Sequence, residues 1–246
     1  MYARAKYLPA GDKGLVVEFG NSISKDINIK VRSFALAIDN AGIPGLLEYI
    51  PSYRSLLIIY DPLTWEFKLL VNRLKQLEDN LSMMQFPNPQ IYCLPVAYGG
   101  EYGPDLYFIC EHTGLKKEDV IKIHSGVDYL IYMLGFTPGF PYLGGMDERI
   151  AAPRLNSPRG KISAGSVGIA GSQTGIYPIE SPGGWRIIGR TPVKLFDPDN
   201  ERPVLLNAGD YVRFYPVSVD EYYQIARAVE KGEYNVYVIE CAAREE

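Results

Sequence analysis

The stretch from Ile162 to Arg190, ISAGSVGIAGSQTGIYPIESPGGWRIIGR, decides the fold of the larger part of the chain. Its β-capable runs, ISAGSVGIAG, GIYPIE and WRIIG, are separated by glycine- or proline-containing turns. Runs of the same kind stand on either side of it: VDYLIYML at 127–134, VKLF at 193–196 and YVRFYPV at 211–217. Short strands separated by frequent turns predict an antiparallel β-barrel or β-sandwich beyond Val127.

The residues before this β-rich part mix strands with helices. In the first 80 residues, the apolar spacing predicts a strand at 14–20, a helix that ends around 40–42, two strands joined by a turn at 52–54, and a helix that begins at Pro62. This order suggests a split β-α-β sandwich. Residues 79–90 contain two prolines and two asparagines, so we place a linker there and divide the chain into 1–84 and 85–246.

Beyond the linker, the sequence predicts a strand at 91–100 and short helices at 104–111 and 116–124. A late helix is predicted at 219–229, before a last strand at 235–240.

Composition restricts the function classes. The 246-residue chain carries a net charge of −4 and has a pI near 5.4, which argues against a nucleic-acid partner. No apolar run is long enough for a membrane span, and we expect a cytoplasmic protein. The three cysteines are widely spaced and there are only two histidines, which excludes a multi-histidine metal centre. A carboxylate magnesium site stays open, but no spacing points to one, so we expect no metal site on this chain.

The segment GFTPGFPYLGGMD at 135–147 combines stiff turns with large apolar side chains. We interpret it as a loop at the entrance of the β-rich part. Phe140 and Tyr142 of this loop, with Trp185 of the later turn SPGGW, predict an aromatic wall. Such a wall either packs into the barrel or lines a pocket or a partner surface.

Basic side chains concentrate in the same region. Arg154, Arg159, Arg190 and Lys161 predict an anion site, because arginine binds a carboxylate or phosphate through two hydrogen bonds. The alternative is a solvated rim of charges. His124 ends a predicted helix, where it caps the helix or acts as a general base.

The glycine-rich run GSVGIAGSQTGIYP at 165–178 lets a backbone approach a ligand, and three of its polar side chains predict hydrogen bonds to one: Ser166, Gln173 and Tyr177. The alternative is an ordinary glycine-rich hairpin. The run is neither a Walker A loop nor a GxGxxG dinucleotide turn.

These residues match one family. The segments HSGVDYLIYMLGFTPGFPYLGGMD and PRLNSPRGKISAGSVGIAGSQTGIYPIESPGGWRIIGRTPVKLFDP, with a weaker match at GDKGLVVEFG, resemble the allophanate hydrolase subunit 1 family. That family includes the B component of ATP-dependent 5-oxoprolinase and inhibitors of a sporulation kinase. The resemblance implies an N-terminal ferredoxin-like α+β domain and a C-terminal, mainly-β cyclophilin-like barrel that carries the site.

The resemblance also implies partners and a reaction. The chain is expected to act with the C component of 5-oxoprolinase, which is of the allophanate hydrolase subunit 2 type, to phosphorylate 5-oxoproline with ATP. The A component then cleaves the activated lactam to glutamate. Mg²⁺ is expected on the nucleotide or the partner, and the chain alone is expected to be inactive. The alternatives are a non-enzymatic inhibitor of a sensor histidine kinase, or a component of carboxyltransferase type that acts on urea or another amide.

The expected roles combine both arguments. His124, Arg154 and Arg159 are the predicted catalytic residues. The predicted substrate or nucleotide contacts are Phe140, Tyr142, Lys161, Ser166, Gln173, Tyr177, Trp185 and Arg190.

Overall fold

A computed structural model describes residues 1–81 and 88–241. The chain divides into two compact units, Met1–Pro87 and Asn88–Glu246. The boundary that we predict between residues 84 and 85 lies outside the described residues, as does half of the predicted linker, residues 82–87.

The first unit is an α+β sandwich. Its elements are β1 (Lys6–Pro9), β2 (Gly14–Glu18), α1 (Lys25–Ala41), β3 (Leu46–Pro51), β4 (Ser55–Tyr60) and α2 (Phe67–Glu78). The four strands form an antiparallel sheet in the order β1-β2-β4-β3. This is the ferredoxin-like arrangement, but the N-terminal strand β1 takes the edge position beside β2 that a strand after α2 would hold. The sequence prediction missed β1.

Local chemistry sets the helix ends in this unit. The Ser24 hydroxyl accepts a hydrogen bond from the Ile27 amide at the start of α1, and Gly42 ends the helix with φ = 51°, as the predicted stop requires. The predicted start of α2 at Pro62 is wrong. The Asp61 carboxylate accepts hydrogen bonds from the Leu63 amide and the Thr64 hydroxyl, so these residues form a turn before the helix begins.

The second unit is a closed barrel with helices around it. Its helices are α3 (Leu106–Thr113), α4 (Lys117–Ser125) and α5 (Val219–Glu230), and a short 3₁₀ helix spans Glu148–Ile150. Its strands are β5 (Gln90–Tyr98), β6 (Asp128–Leu134), β7 (Pro141–Gly144), β8 (Arg159–Ile162), β9 (Ser166–Ala170), β10 (Gln173–Ile176), β11 (Ser181–Gly183), β12 (Arg186–Arg190), β13 (Tyr211–Pro216) and β14 (Tyr237–Glu240).

Seven strands close the barrel in the order β12-β9-β10-β7-β6-β13-β5, since β5 returns to β12 through the pair Gly189 and Tyr98. Strand β14 pairs with the first residues of β5. Strands β8 and β11 form a separate two-stranded ribbon. The predicted ferredoxin-like and cyclophilin-like fold classes are both confirmed.

Three strand predictions need correction. The loop at 135–147 contains β7, because residues 141–144 pair with both β6 and β10. The run GIYPIE, at 175–180, is shifted along the chain from the observed strand β10, which spans Gln173–Ile176 and ends before Pro178. The run VKLF forms no strand, and Phe196 makes only a single bridge with Val204.

Apolar side chains fill the barrel interior. Alternate residues of neighbouring strands, such as Val167, Ile169, Ile176 and Ile188, are completely buried in one core. This alternation places the intervening residues on the outer face of the barrel.

Candidate active site

Four aromatic residues, Phe140, Tyr142, Tyr177 and Trp185, form what we call the aromatic cluster. The Phe140 ring centroid lies 5.1 Å from that of Tyr142, 5.4 Å from Tyr177 and 5.6 Å from Trp185. The contacts with Tyr177 and Trp185 are edge-to-face, a favourable geometry for aromatic pairs. Phe140, Tyr177 and Trp185 are buried, whereas Tyr142 is half-buried.

The cluster is a second core, distinct from the barrel interior. Three aliphatic side chains complete this second core: Ile162 of the β8–β11 ribbon, and Ala170 and Ile187 of the barrel strands. Gly175 makes room for it, since a Cβ at this position would lie 3.0 Å from Trp185 Cζ3 and 3.2 Å from Phe140 Cζ. The three predicted wall residues are therefore in contact, but Phe140 and Trp185 are buried beneath the surface, and only Tyr142 is partly exposed to solvent.

The loop that carries Phe140 also exposes an aromatic side chain. Phe136 is 67% exposed, and its backbone has φ = 69°, which is costly for a bulky residue. Its ring centroid lies 5.8 Å from that of Phe140. An exposed phenyl ring thus stands at the edge of the aromatic cluster.

Arg154 is the exposed cation of this surface. Its guanidinium carbon lies 5.9 Å from the centroid of the Trp185 ring, within the range of a cation–π contact. The amide of Leu155 donates to the Gly184 carbonyl at 2.7 Å, which fixes the backbone beside Trp185. In the described parts of the chain, no carboxylate forms an ion pair with Arg154, so its guanidinium is available to an anionic ligand.

Arg159 has an internal partner instead. Its two terminal nitrogens each donate to the Asp105 carboxylate at 2.8 Å, and this hydrogen bonding raises the pKa of Arg159. Asp105 is nearly buried and also accepts the Ile187 amide at 2.7 Å. The charge of Arg159 is therefore compensated within the fold, and the pair joins β8 to the start of α3 and to β12.

His124 lies inside the barrel and is completely buried. The Thr174 hydroxyl lies 3.0 Å from the Gly168 carbonyl and donates its only proton there, so Thr174 accepts from His124 Nε2 at 2.9 Å. Nδ1 then accepts from the Tyr98 hydroxyl at 2.8 Å. Burial lowers the pKa of His124 to about 3, so the imidazole is neutral at neutral pH.

The remaining predicted site residues lie on the ribbon strand β8 and on the barrel strands β9, β10 and β12, and one of them, Ser166, is buried. Lys161 is exposed and pairs with Glu180 at 2.8 Å. Ser166 and Arg190 are cross-strand neighbours, and Arg190 Nε donates to the Ala164 carbonyl. Gln173 opens β10 after the hairpin turn. The structure brings the aromatic cluster, Arg154 and Arg159 together and separates them from His124.

Residues 1–81 and 88–241 contain no group of three or more histidine, cysteine or acidic side chains that could hold a metal ion. No helix among these residues is both long and apolar enough to span a membrane.

Comparison with known proteins shows the family. The carboxyltransferase domain family, subdomains C and D, matches residues 5–206. The chain belongs to this family. The chain is also 42% identical to the B component of 5-oxoprolinase from Bacillus subtilis, over 91% of its own length and 97% of that protein. The family resemblance inferred from the sequence is therefore confirmed.

Solved structures show the same fold within longer chains. The protein TTHA0988 superposes with a TM-score of 0.75 at 37% identity over 84% of the present chain. The present chain spans 40% of the length of TTHA0988. Urea amidolyase of K. lactis superposes with a TM-score of 0.80 at 25% identity over 96% of the chain, which spans 16% of that enzyme.

Several residues that support the candidate site or that hold His124 were missed by sequence reasoning. Asp105 precedes α3, where an aspartate usually caps the helix, but its carboxylate bonds Arg159 and Ile187 instead. Tyr98 and Thr174, the partners of His124, come from strands β5 and β10. Arg186 is one of the basic residues from which the sequence suggests an anion site, but its stacking on Phe108, with the guanidinium carbon 3.5 Å from the ring centroid, has no signal in the sequence.

Proposed function

We propose that this chain is the B component of a 5-oxoprolinase. The observation that carries this proposal is the 42% identity to the B component of the Bacillus subtilis enzyme across nearly the full length of both chains. The activity belongs to a complex, in which this chain acts with a C component of the allophanate hydrolase subunit 2 type and with an A component. We expect the complex in the cytoplasm, and we expect no activity from this chain alone.

The chemistry of the substrate explains why ATP is needed. A lactam carbonyl is a weak electrophile, and transfer of the γ-phosphoryl group of ATP to the lactam oxygen turns that oxygen into a leaving group. One water then adds to the activated carbon and the ring C–N bond breaks, which gives γ-glutamyl phosphate. A second water hydrolyses this acyl phosphate, so that glutamate, phosphate and ADP result. The protein contributes charge stabilisation and positioning to such a transfer. We expect Mg²⁺ to be bound by the nucleotide or by the partner protein.

Arg154 is the residue of this chain best arranged to take part. Its guanidinium is exposed, has no carboxylate partner in the described chain, and lies over Trp185. We assign it to the carboxylate of 5-oxoproline or to a phosphate group, and we keep Tyr142, which packs on Phe140, as a further ligand contact. Arg159, paired with Asp105, and Phe140, Tyr177 and Trp185 shape this surface from behind.

The predicted catalytic role of His124 stays a hypothesis, which its contacts in this structure do not favour. Both ring nitrogens already have hydrogen-bond partners in the barrel interior, and the residue has no exposed surface. These contacts favour a structural role, in which the neutral imidazole joins β5 to β10.

One experiment tests the proposed function. The chain is co-expressed with the homologue of the C component, the complex is purified, and ATP hydrolysis is measured with 5-oxoproline or urea, with and without the A component. We expect 5-oxoproline to stimulate ATP hydrolysis and glutamate to form only when the A component is present. An assembled complex that 5-oxoproline does not stimulate would contradict the proposal.

Two alternatives are tested, one by urea in the same experiment and the other by a kinase assay. Stimulation by urea would favour an amide carboxylation role, which the structural similarity to K. lactis urea amidolyase motivates. The exposed Phe136 motivates the other alternative, docking on a sensor histidine kinase. Inhibition of kinase autophosphorylation by the purified chain, lost in Phe136→Ala, would support that role.

A further inference from the structure

A cavity of about 460 Å³ lies away from the aromatic cluster, between residues 193–205 and 229–236. Its floor is apolar and continuous with the barrel core: Val193 is buried, and Leu205 and Val236 pack against the same core. The rings of Tyr92 and Tyr234 also line it. The volume falls in the range of small-molecule sites, roughly 300–1,000 Å³.

Two basic residues and one acidic residue line this cavity, so the lining has one positive charge in excess. Lys194 and Asp197 neutralise each other, with Nζ and Oδ2 3.4 Å apart, and the other Asp197 oxygen accepts the Asp199 amide. Arg202 also lines the cavity, and its guanidinium reaches the Leu205 carbonyl at 3.5 Å. Within the described ranges no carboxylate forms an ion pair with Arg202. Its charge is therefore available to a ligand.

We propose that this cavity binds a small organic anion, a carboxylate or a phosphate carried on a ring or a short apolar body. The apolar floor accommodates the body, and the planar guanidinium of Arg202 binds the anionic group through paired hydrogen bonds. The amides of Asn200 and Asn235 on the rim add polar contacts that orient the ligand. The proposal does not rest on the 5-oxoprolinase function, since the cavity contains none of the residues assigned to that reaction.

The test uses two probes that share this chemistry and differ in the anion. Adenosine 5′-monophosphate presents a phosphate and benzoate a carboxylate, and adenosine and benzamide are their uncharged counterparts. Binding to the purified full chain is measured by calorimetry and by perturbation of amide resonances. We expect at least one anion to bind with a Kd of about 1 mM or lower, with perturbed resonances at 193–205 and 229–236, and its uncharged counterpart to bind at least about tenfold more weakly.

Two variants make the test specific. Arg202→Ala, on an exposed residue, should weaken anion binding by about tenfold or more, because a charge-assisted hydrogen bond is lost. Arg73→Ala removes an exposed arginine of the first unit and should leave the Kd unchanged. Val229→Phe should fill the cavity and abolish binding, and its thermal unfolding shows whether it folds. If it does not fold, the Arg202 and Arg73 variants decide.

The identity of the bound probe tells which anion the cavity prefers, and either result supports the proposal. It is overturned if neither anion shows saturable binding up to about 10 mM, or if the uncharged probes bind as tightly. It is also overturned if Arg202→Ala binds like the wild type.

Discussion

The Arg159 guanidinium and the Asp105 carboxylate meet through two hydrogen bonds of 2.8 Å, although 54 residues separate them in the chain. The side chain of Asp105 is 8% exposed, so its charge depends on Arg159 and on Arg186, whose Nη1 lies 4.0 Å from Asp105 Oδ1. The pair joins the start of α3 to the β8–β11 ribbon, behind the surface formed by the aromatic cluster and Arg154. A mutation at either residue should therefore act first on stability.

Asp105→Ala should destabilise the protein by about 3 kcal/mol, because it leaves the partly buried Arg159 without its counter-ion and the Ile187 amide without an acceptor. Urea unfolding followed by circular dichroism measures this change. Glu180→Ala is the matched control, since it breaks the exposed pair with Lys161 and should cost less than about 1 kcal/mol. Equal effects of the two substitutions would contradict the structural role of the Asp105 pair.

Burial of His124 should make stability depend on pH. The imidazole has an ordinary pKa of 6.5 in the unfolded chain and a pKa of about 3 when folded. Between these values the unfolded state binds the extra proton. The stabilisation from the buried neutral imidazole is therefore fully present above pH 6.5. As the pH falls from 6.5 toward 3, the free energy of unfolding decreases by about 1.4 kcal/mol for each pH unit well below 6.5.

The measurement is the free energy of unfolding in urea between pH 7 and pH 4.5, for the wild type and for His124→Gln. The variant should be less stable at pH 7, and its stability should fall less steeply with acidification. His112→Gln, which removes the exposed histidine of α3, is the control and should retain the wild-type slope. A His124→Gln slope equal to that of the wild type would show that His124 is not the buried titrating group.

The two phenylalanines of one loop should differ sharply in their effect on stability. Phe140→Ala removes a buried ring that contacts three other aromatic side chains and should cost about 3–5 kcal/mol. Phe136→Ala removes an exposed ring and should change stability by less than about 0.5 kcal/mol. Thermal and urea unfolding measure both variants. A strongly destabilised Phe136→Ala would mean that this ring is packed rather than exposed.

The fold was predictable where a pattern repeats along the chain. The apolar spacing of α1 and its stop at Gly42 are local features, and so are the alternating strands of the barrel. Strand β1 was missed because its burial pattern is almost wholly exposed, and β7 because it is four residues long and flanked by prolines and glycines. The start of α2 was predicted wrongly at Pro62, because a proline in a turn and a proline at a helix start cannot be told apart in the sequence.

The candidate site was predictable only in its composition. Aromatic and basic residues near glycine-rich turns were correctly expected to meet, and Phe140, Tyr142, Tyr177, Trp185 and Arg154 do. The pairing of Arg159 with Asp105 and of His124 with Thr174 has no local signal, because the tertiary fold brings together residues 54 and 50 positions apart. Whether an arginine is free or paired is thus decided by the tertiary structure.

Arg154 should matter for catalysis more than for folding. Its side chain is exposed, so Arg154→Ala should leave the free energy of unfolding within about 0.5 kcal/mol of the wild type. In the complex with the C and A components, the same variant should lower kcat/KM for 5-oxoproline by about a hundredfold, since removing one donor to a developing charge costs roughly 2.7–4 kcal/mol. Arg154→Lys should recover part of this loss, because lysine keeps the charge without the paired geometry of arginine.

The matched control is Arg149→Ala, an exposed arginine of the same unit whose guanidinium is already paired with Asp147. Its kcat/KM should stay within about twofold of the wild type, because a surface ion pair contributes little. Size-exclusion chromatography establishes that each variant still assembles with its partners. If an intact Arg154→Ala complex turns over 5-oxoproline at the wild-type rate, the anion of the reaction is bound elsewhere, and the exposed surface over Trp185 serves assembly instead.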